Sequence, residues 1–165
     1  MLSVALRSQS FRLLETLCVG RLHGIEEVRA LCVGLGSGRL SSLRKLVIYS
    51  SRLGPEEGRA LSQVLIAEKL PGLKRLEIVQ TEPTDNVLTA LTNKWMSDPP
   101  PRLQYLELCG NLLTEASVDS LSSLLGSRRL PSIESVKLHN NRMSNPSFVR
   151  VLFNAFPDVV DVDIE

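Results

Sequence analysis

The chain predicts an α/β solenoid, in which short strands and helices alternate and stack into one parallel sheet backed by a layer of helices. Three observations lead there. An apolar template recurs six times along the 165 residues. The interval between copies is nearly constant. Each interval carries further apolar residues at helical spacing. A period of about 20–50 residues is what stacked repeats leave in a sequence.

The template is plainest in three segments. Their apolar positions are Leu70, Leu73, Leu76 and Ile78; Leu130, Ile133, Val136 and Leu138; and Phe156, Val159, Val162 and Ile164. Copies beginning at Phe11, Leu40 and Pro100 fit the same spacing. Taking the second position as an anchor gives Leu14, Leu43, Leu73, Leu103, Ile133 and Val159, in steps of 29, 30, 30, 30 and 26 residues. The short last step predicts a shorter or reoriented final helix.

The elements follow in chain order. Leu2 and Leu6 lie 12 and 8 residues before Leu14. Those offsets carry helix in the later intervals, so residues 1–10 read as the tail of a partial repeat helix. The alternation that closes each template predicts strands starting near Leu17, Leu46, Leu76, Leu106, Val136 and Val162. Between them, Leu31 with Leu35, Leu61 with Leu65, Leu91 with Trp95 and Leu121 with Leu125 are four apart and share a helical face. Val151 takes the equivalent place in the last interval. Pro55 before Glu56 and Glu57, Asp85 before Val87, Thr114 with Glu115, and Asn145 with Pro146 mark helix starts. The glycines at 34, 36 and 38 end the first helix, and the prolines at 99–101 follow the third.

One such unit cannot bury its apolar face alone, and stacking makes a continuous core. The crossover rule makes the winding right-handed. Narrow strands beside wide helices curve the stack, with the sheet concave and the helices convex. The chain is therefore read as one domain, residues 1–165.

Leu103-Gln104-Tyr105-Leu106-Glu107-Leu108-Cys109-Gly110-Asn111-Leu112-Leu113 resembles the LxxLxLxxNxL signature of the leucine-rich-repeat family, as does the stretch 133–143 with Asn141. The unit length and helical halves are similar to the ribonuclease-inhibitor-like subclass. Leu53-Gly54-Pro55-Glu56-Glu57-Gly58-Arg59-Ala60-Leu61 is similar to repeats in the sensor domains of NOD-like receptors. The resemblance implies an asparagine that bonds loop backbone in the turn after each strand. Ser51 and Thr81 can partly replace it. Leu22 cannot, which predicts an irregular first loop.

Composition narrows the function classes. The net charge of +1 gives no overall field toward nucleic acid or acidic lipid. No apolar run approaches the roughly 20 residues of a membrane span. Cys18, Cys32 and Cys109 are scattered, and with His23 and His139 they lack metal-ligand spacing. They read as free thiols of an intracellular, cytoplasmic protein. Residues 1–14 hold Arg7, Arg12, serines and no acid before Leu14, so a mitochondrial presequence is a second reading of that stretch. No phosphate-binding glycine motif occurs, and no cofactor is expected.

Residues between the anchors should face away from the core in three columns. The first is Thr16, Lys45, Arg75, Tyr105, Ser135 and Asp161. The second is Cys18, Val47, Glu77, Glu107, Lys137 and Asp163. The third is Gly20, Tyr49, Val79, Cys109, His139 and Glu165. Lys45, Tyr49, Arg75, Glu77, Tyr105, Glu107, Lys137 and His139 are the candidate partner-binding residues, because tyrosine and arginine are favoured at binding hot spots. Cys109 beside His139 suggests a thiol–imidazole pair, but nothing near it supplies an oxyanion hole or a closed pocket. The expectation is a non-enzymatic protein–protein interaction module or scaffold. A GTPase-activator-like or other regulatory repeat domain is the alternative. Nucleic-acid binding is disfavoured, because acidic residues interrupt the basic stripe it needs. The uncapped ends are expected to favour association between copies.

Overall fold

The computed structural model describes residues 11–81, 85–143 and 145–161. The partial helix and presequence readings of 1–10, and Val162, Asp163 and Glu165, lie outside them. Among the described residues, strands β1 (Thr16–Gly20), β2 (Lys45–Tyr49), β3 (Arg75–Val79), β4 (Tyr105–Glu107), β5 (Ser135–Lys137) and β6 (Val160–Asp161) alternate with helices α1 (Ile25–Leu35), α2 (Pro55–Val64), α3 (Asp85–Ser97), α4 (Ala116–Gly126) and α5 (Pro146–Ala155). The strands form one sheet in sequence order, parallel throughout. Strands β1 to β5 each begin one residue before the expected start. Each helix packs on the next.

The apolar template is the core. Leu46, Ile48, Leu76, Ile78, Leu106 and Val136 on the strands meet Leu31, Leu35, Leu61, Leu91, Trp95 and Leu121 on the helices and Leu65 at the end of α2, all buried in one continuous cluster. Burying a leucine side chain is worth about 1.5–3 kcal/mol, so this row supplies most of the drive to stack. Trp95 fits because its indole Nε1 donates to the Leu65 carbonyl at 2.6 Å, which satisfies its one polar atom.

The turns repeat as closely as the strands. Arg21, Ser50, Gln80, Gly110 and Asn140, each one residue past the third column, all have φ between +47° and +68°. In this left-handed turn the amides of Arg21, Ser50, Gln80 and Gly110 donate to the carbonyls of Tyr49, Val79, Cys109 and His139 in the next repeat. The first loop, expected to be irregular, makes the same turn at Arg21. Its missing asparagine is compensated from the next repeat: Ser51 Oγ accepts from the Leu22 amide at 3.0 Å and donates to the Tyr49 carbonyl. Where asparagine is present it spans two repeats. Asn111 Nδ2 donates to the Ile78 and Leu108 carbonyls at 2.7 and 2.8 Å, and its Oδ1 accepts from the Thr81 amide at 3.0 Å. Asn141 repeats this with Leu108, Leu138 and Leu113.

Helix starts are also tied between repeats. Glu57 reaches back to the Gly54 amide, and Asn145 caps Ser147, as expected of such residues. Asp85 does more than begin α3: it accepts from the Thr114 amide and hydroxyl and from Ser117, so it caps the next repeat's helix. Burial alone would raise its carboxyl, but these bonds outweigh that and hold it below the usual aspartate value.

The last repeat departs from the expected frame. Val151 is 60% exposed, and Leu152 is the buried residue among the described side chains of α5. The last strand begins at Val160 rather than near Val162, and it pairs Val136 with Val160 and Lys137 with Asp161. Asp161 therefore belongs to the second column, not the first. Only residues 156–159 separate α5 from β6, whereas 127–134 separate α4 from β5. The shorter connection brings the chain onto the sheet two residues early, and Val160 fills the core position.

Candidate interaction face

The helices cover one face of the sheet and leave the other open. The strand alternation that buries Leu46 and Ile48 puts Lys45, Val47 and Tyr49 on the open face, and the same holds along β3, β4 and β5. Register then fixes the neighbours. Lys45, Arg75, Tyr105 and Ser135 form one row across β2 to β5, and Val47, Glu77, Glu107, Lys137 and Asp161 form another across β2 to β6.

Glu77 is the hub. It is 9% exposed although it lies on the open face. Lys45 Nζ pairs with its Oε1 at 2.8 Å, and Arg75 Nε donates to the same oxygen. Burial would raise this carboxyl, but the hydrogen bonds and charges of Lys45 and Arg75 prevail and hold it below the ordinary glutamate value. Arg75 continues the chain. Its Nη2 meets Glu107 Oε2 at 3.3 Å, and its guanidinium carbon lies 5.4 Å from the centre of the Tyr105 ring, within cation–π range. The Tyr105 hydroxyl donates to Glu134 Oε2 at 2.8 Å, and this bond raises the phenol above its ordinary value. Gln104 holds the other Glu134 oxygen at 2.8 Å. Glu134, absent from the candidate list, thus orients Tyr105. Its signal in the sequence was only its place just before a strand.

Between β3, β4 and β5 this network borders a shallow depression of about 110 Å³, lined by Arg75, Tyr105, Leu106, Glu107, Ser135 and Lys137. Tyr105 is 37% exposed at its edge, and Lys137 is exposed with no ion pair among the described residues. Arg75, a candidate partner-binding residue, has a guanidinium whose planar fork could in principle meet a partner's carboxylate. The fork is engaged by Glu77 and Glu107, so it braces the site from within.

The third column behaves differently. Tyr49 lies flat over Gly20: a Cβ there would fall 2.5 Å from the ring. Tyr49 is separated from Tyr105 by β3 and does not share its depression. His139 Nε2 meets Asp161 Oδ2 at 3.0 Å and joins β5 to β6. Burial raises the Cys109 thiol above its ordinary value, the opposite of what an attacking thiolate needs. Burial pushes the Cys32 thiol up to about 12.

Among the described residues, no three His, Cys, Asp or Glu side chains gather as metal ligands. Nor is any described helix long and apolar enough to cross a membrane.

No family model and no curated protein matches this chain. Lys45, Arg75, Glu77, Tyr105, Glu107 and Lys137 come together in one network or around one depression. Tyr49 and His139 stand on the same face but outside it.

Proposed function

We propose that the chain is a right-handed leucine-rich-repeat solenoid whose open sheet face is its concave side and binds a protein partner. What carries this reading is the braced tyrosine at the centre of an uncovered sheet. Tyr105 is exposed beside a depression while Arg75 and Glu134 fix its ring and hydroxyl. A side chain held in place before binding loses little entropy on binding, and tyrosine combines a broad apolar face with a polar tip. The recurrence of left-handed turns at 21, 50, 80, 110 and 140 supports the repeat reading, as do the asparagine bridges of Asn111 and Asn141. In this reading the protein acts without catalysis, as an intracellular scaffold or regulatory module.

The test is capture of a partner by wild type and two double variants. Tyr105→Ala with Arg75→Ala should weaken capture at least tenfold, about 1.4 kcal/mol. Arg59→Ala with Gln63→Ala, on the outer side of α2, should leave it nearly unchanged. Thermal unfolding checks that both variants fold. Capture lost in the helix variant and kept in the sheet variant would move the site to the helices.

A further inference from the structure

We infer that the partner presents an acidic, extended segment, received at the N-terminal ends of β2 and β3. The inference rests on the reading of the open face as a protein-binding surface, and it names the chemistry of what binds there.

The observation is a block of four cations. Arg44-Lys45 and Lys74-Arg75 are basic pairs at the same point of successive repeats. Strands β2 and β3 align Lys45 with Arg75, and the amides of Lys74 and Arg75 both donate to the Arg44 carbonyl at 2.9 Å. The two pairs therefore lie about one strand spacing apart, near 4.8 Å. The inner cations are compensated. Lys45 and Arg75 share Glu77, and Arg75 also holds Glu107. The outer cations are not. Arg44 and Lys74 are exposed and have no carboxylate partner among the described residues.

Like charges on adjacent strands repel, so this placement does nothing for the fold. A carboxylate set between Arg44 and Lys74 removes the repulsion. An extended peptide puts alternate side chains on one side about 7 Å apart, within reach of these long side chains. Such a segment can neutralise the rim while its neighbouring residues cross toward Tyr105.

A nucleic-acid strand fits less well. The row runs Glu15, Arg44, Lys74, Gln104 and Glu134, so the basic pair is two strands wide and the row is acidic at both ends. Glu77 and Glu107 stand beside it on the face. A phosphate chain longer than the block would meet these acids, whereas a short acidic motif would not.

The probe is a fluorescent peptide of alternating glutamate and serine, titrated into the full chain at low salt. A glutamine analogue and a single-stranded DNA of equal charge serve as comparators. The glutamate peptide should bind saturably, and the glutamine analogue should not. Arg44→Gln with Lys74→Gln should weaken the peptide at least tenfold, with unfolding unchanged because both residues are exposed. Arg128→Gln with Arg129→Gln, equally exposed after α4, should change it less than twofold. Equal loss in both variants, tighter binding of the DNA, or no saturable binding would overturn the inference. A captured partner that depends on Tyr105 and Arg75 but not on Arg44 and Lys74 would overturn it while the open-face reading stands. Indifference to both pairs would overturn both.

Discussion

Glu77 keeps its charge in a nearly buried place because Lys45 and Arg75 close over it. Its carboxyl titrates below the ordinary glutamate value in the folded chain, so the unfolded chain binds the proton more readily. That stabilisation is fully present above the unfolded value of about 4.3 and is lost as pH falls through the lower folded value. Glu77→Gln should therefore lower the urea midpoint at pH 7, and the gap from wild type should shrink toward pH 3. A gap that does not change with pH would mean that Glu77 stabilises by packing and not by charge. Asn111 makes a second residue-scale case. Asn111→Ala strips the Thr81 amide and the Ile78 carbonyl of their partner inside the stack. Each buried group left unsatisfied costs about 1–3 kcal/mol, so urea unfolding should show a loss of at least about 1 kcal/mol. The sequence marked Asn111 and Asn141 by position in the motif. It did not show that each ties two repeats together, nor that the left-handed turn would accept Arg21, Ser50 and Gln80. Such residues rarely adopt that conformation, and only the inter-repeat bonds make it worth about 1–2 kcal/mol of strain.

Element packing is closest between α2 and α3. A Cβ on Gly58 would lie 2.9 Å from Val87 Cα. Helix propensity alone predicts that Gly58→Ala stabilises α2 by about 1 kcal/mol. Contact with α3 backbone predicts the reverse, because overpacking typically costs about 1–3 kcal/mol. We expect net destabilisation in thermal unfolding; a raised melting temperature would mean that the two helices separate without penalty. The strand and helix pattern was readable for the first five strands because leucine periodicity reports burial directly. It misplaced the last repeat. Val159 and Val160 are adjacent and both apolar, as are Val151 and Leu152, so periodicity could not choose between frames. The short connection after α5 decided it, by placing Val160 and Leu152 inside.

Across the molecule, the sequence indicated which residues share the open face, since alternation and register are regular there. It could not show which are free. Arg75 was expected to reach outward, yet three neighbours hold it. Arg44 and Lys74 carry no such signal, because a residue just before a strand belongs to no column. The chain has two tyrosines, Tyr49 and Tyr105, and both are exposed on the open face. Its one tryptophan, Trp95, is buried on the helix side. Fluorine-labelled tyrosine therefore reports on the proposed binding face alone. The most direct measurement is the fluorine spectrum of chain so labelled, recorded free and saturated with captured partner. The account predicts a shift or broadening of the Tyr105 resonance, abolished when Tyr105 is replaced by phenylalanine, which also assigns the signal. A saturated complex with both tyrosine resonances unchanged would place the partner elsewhere and contradict it.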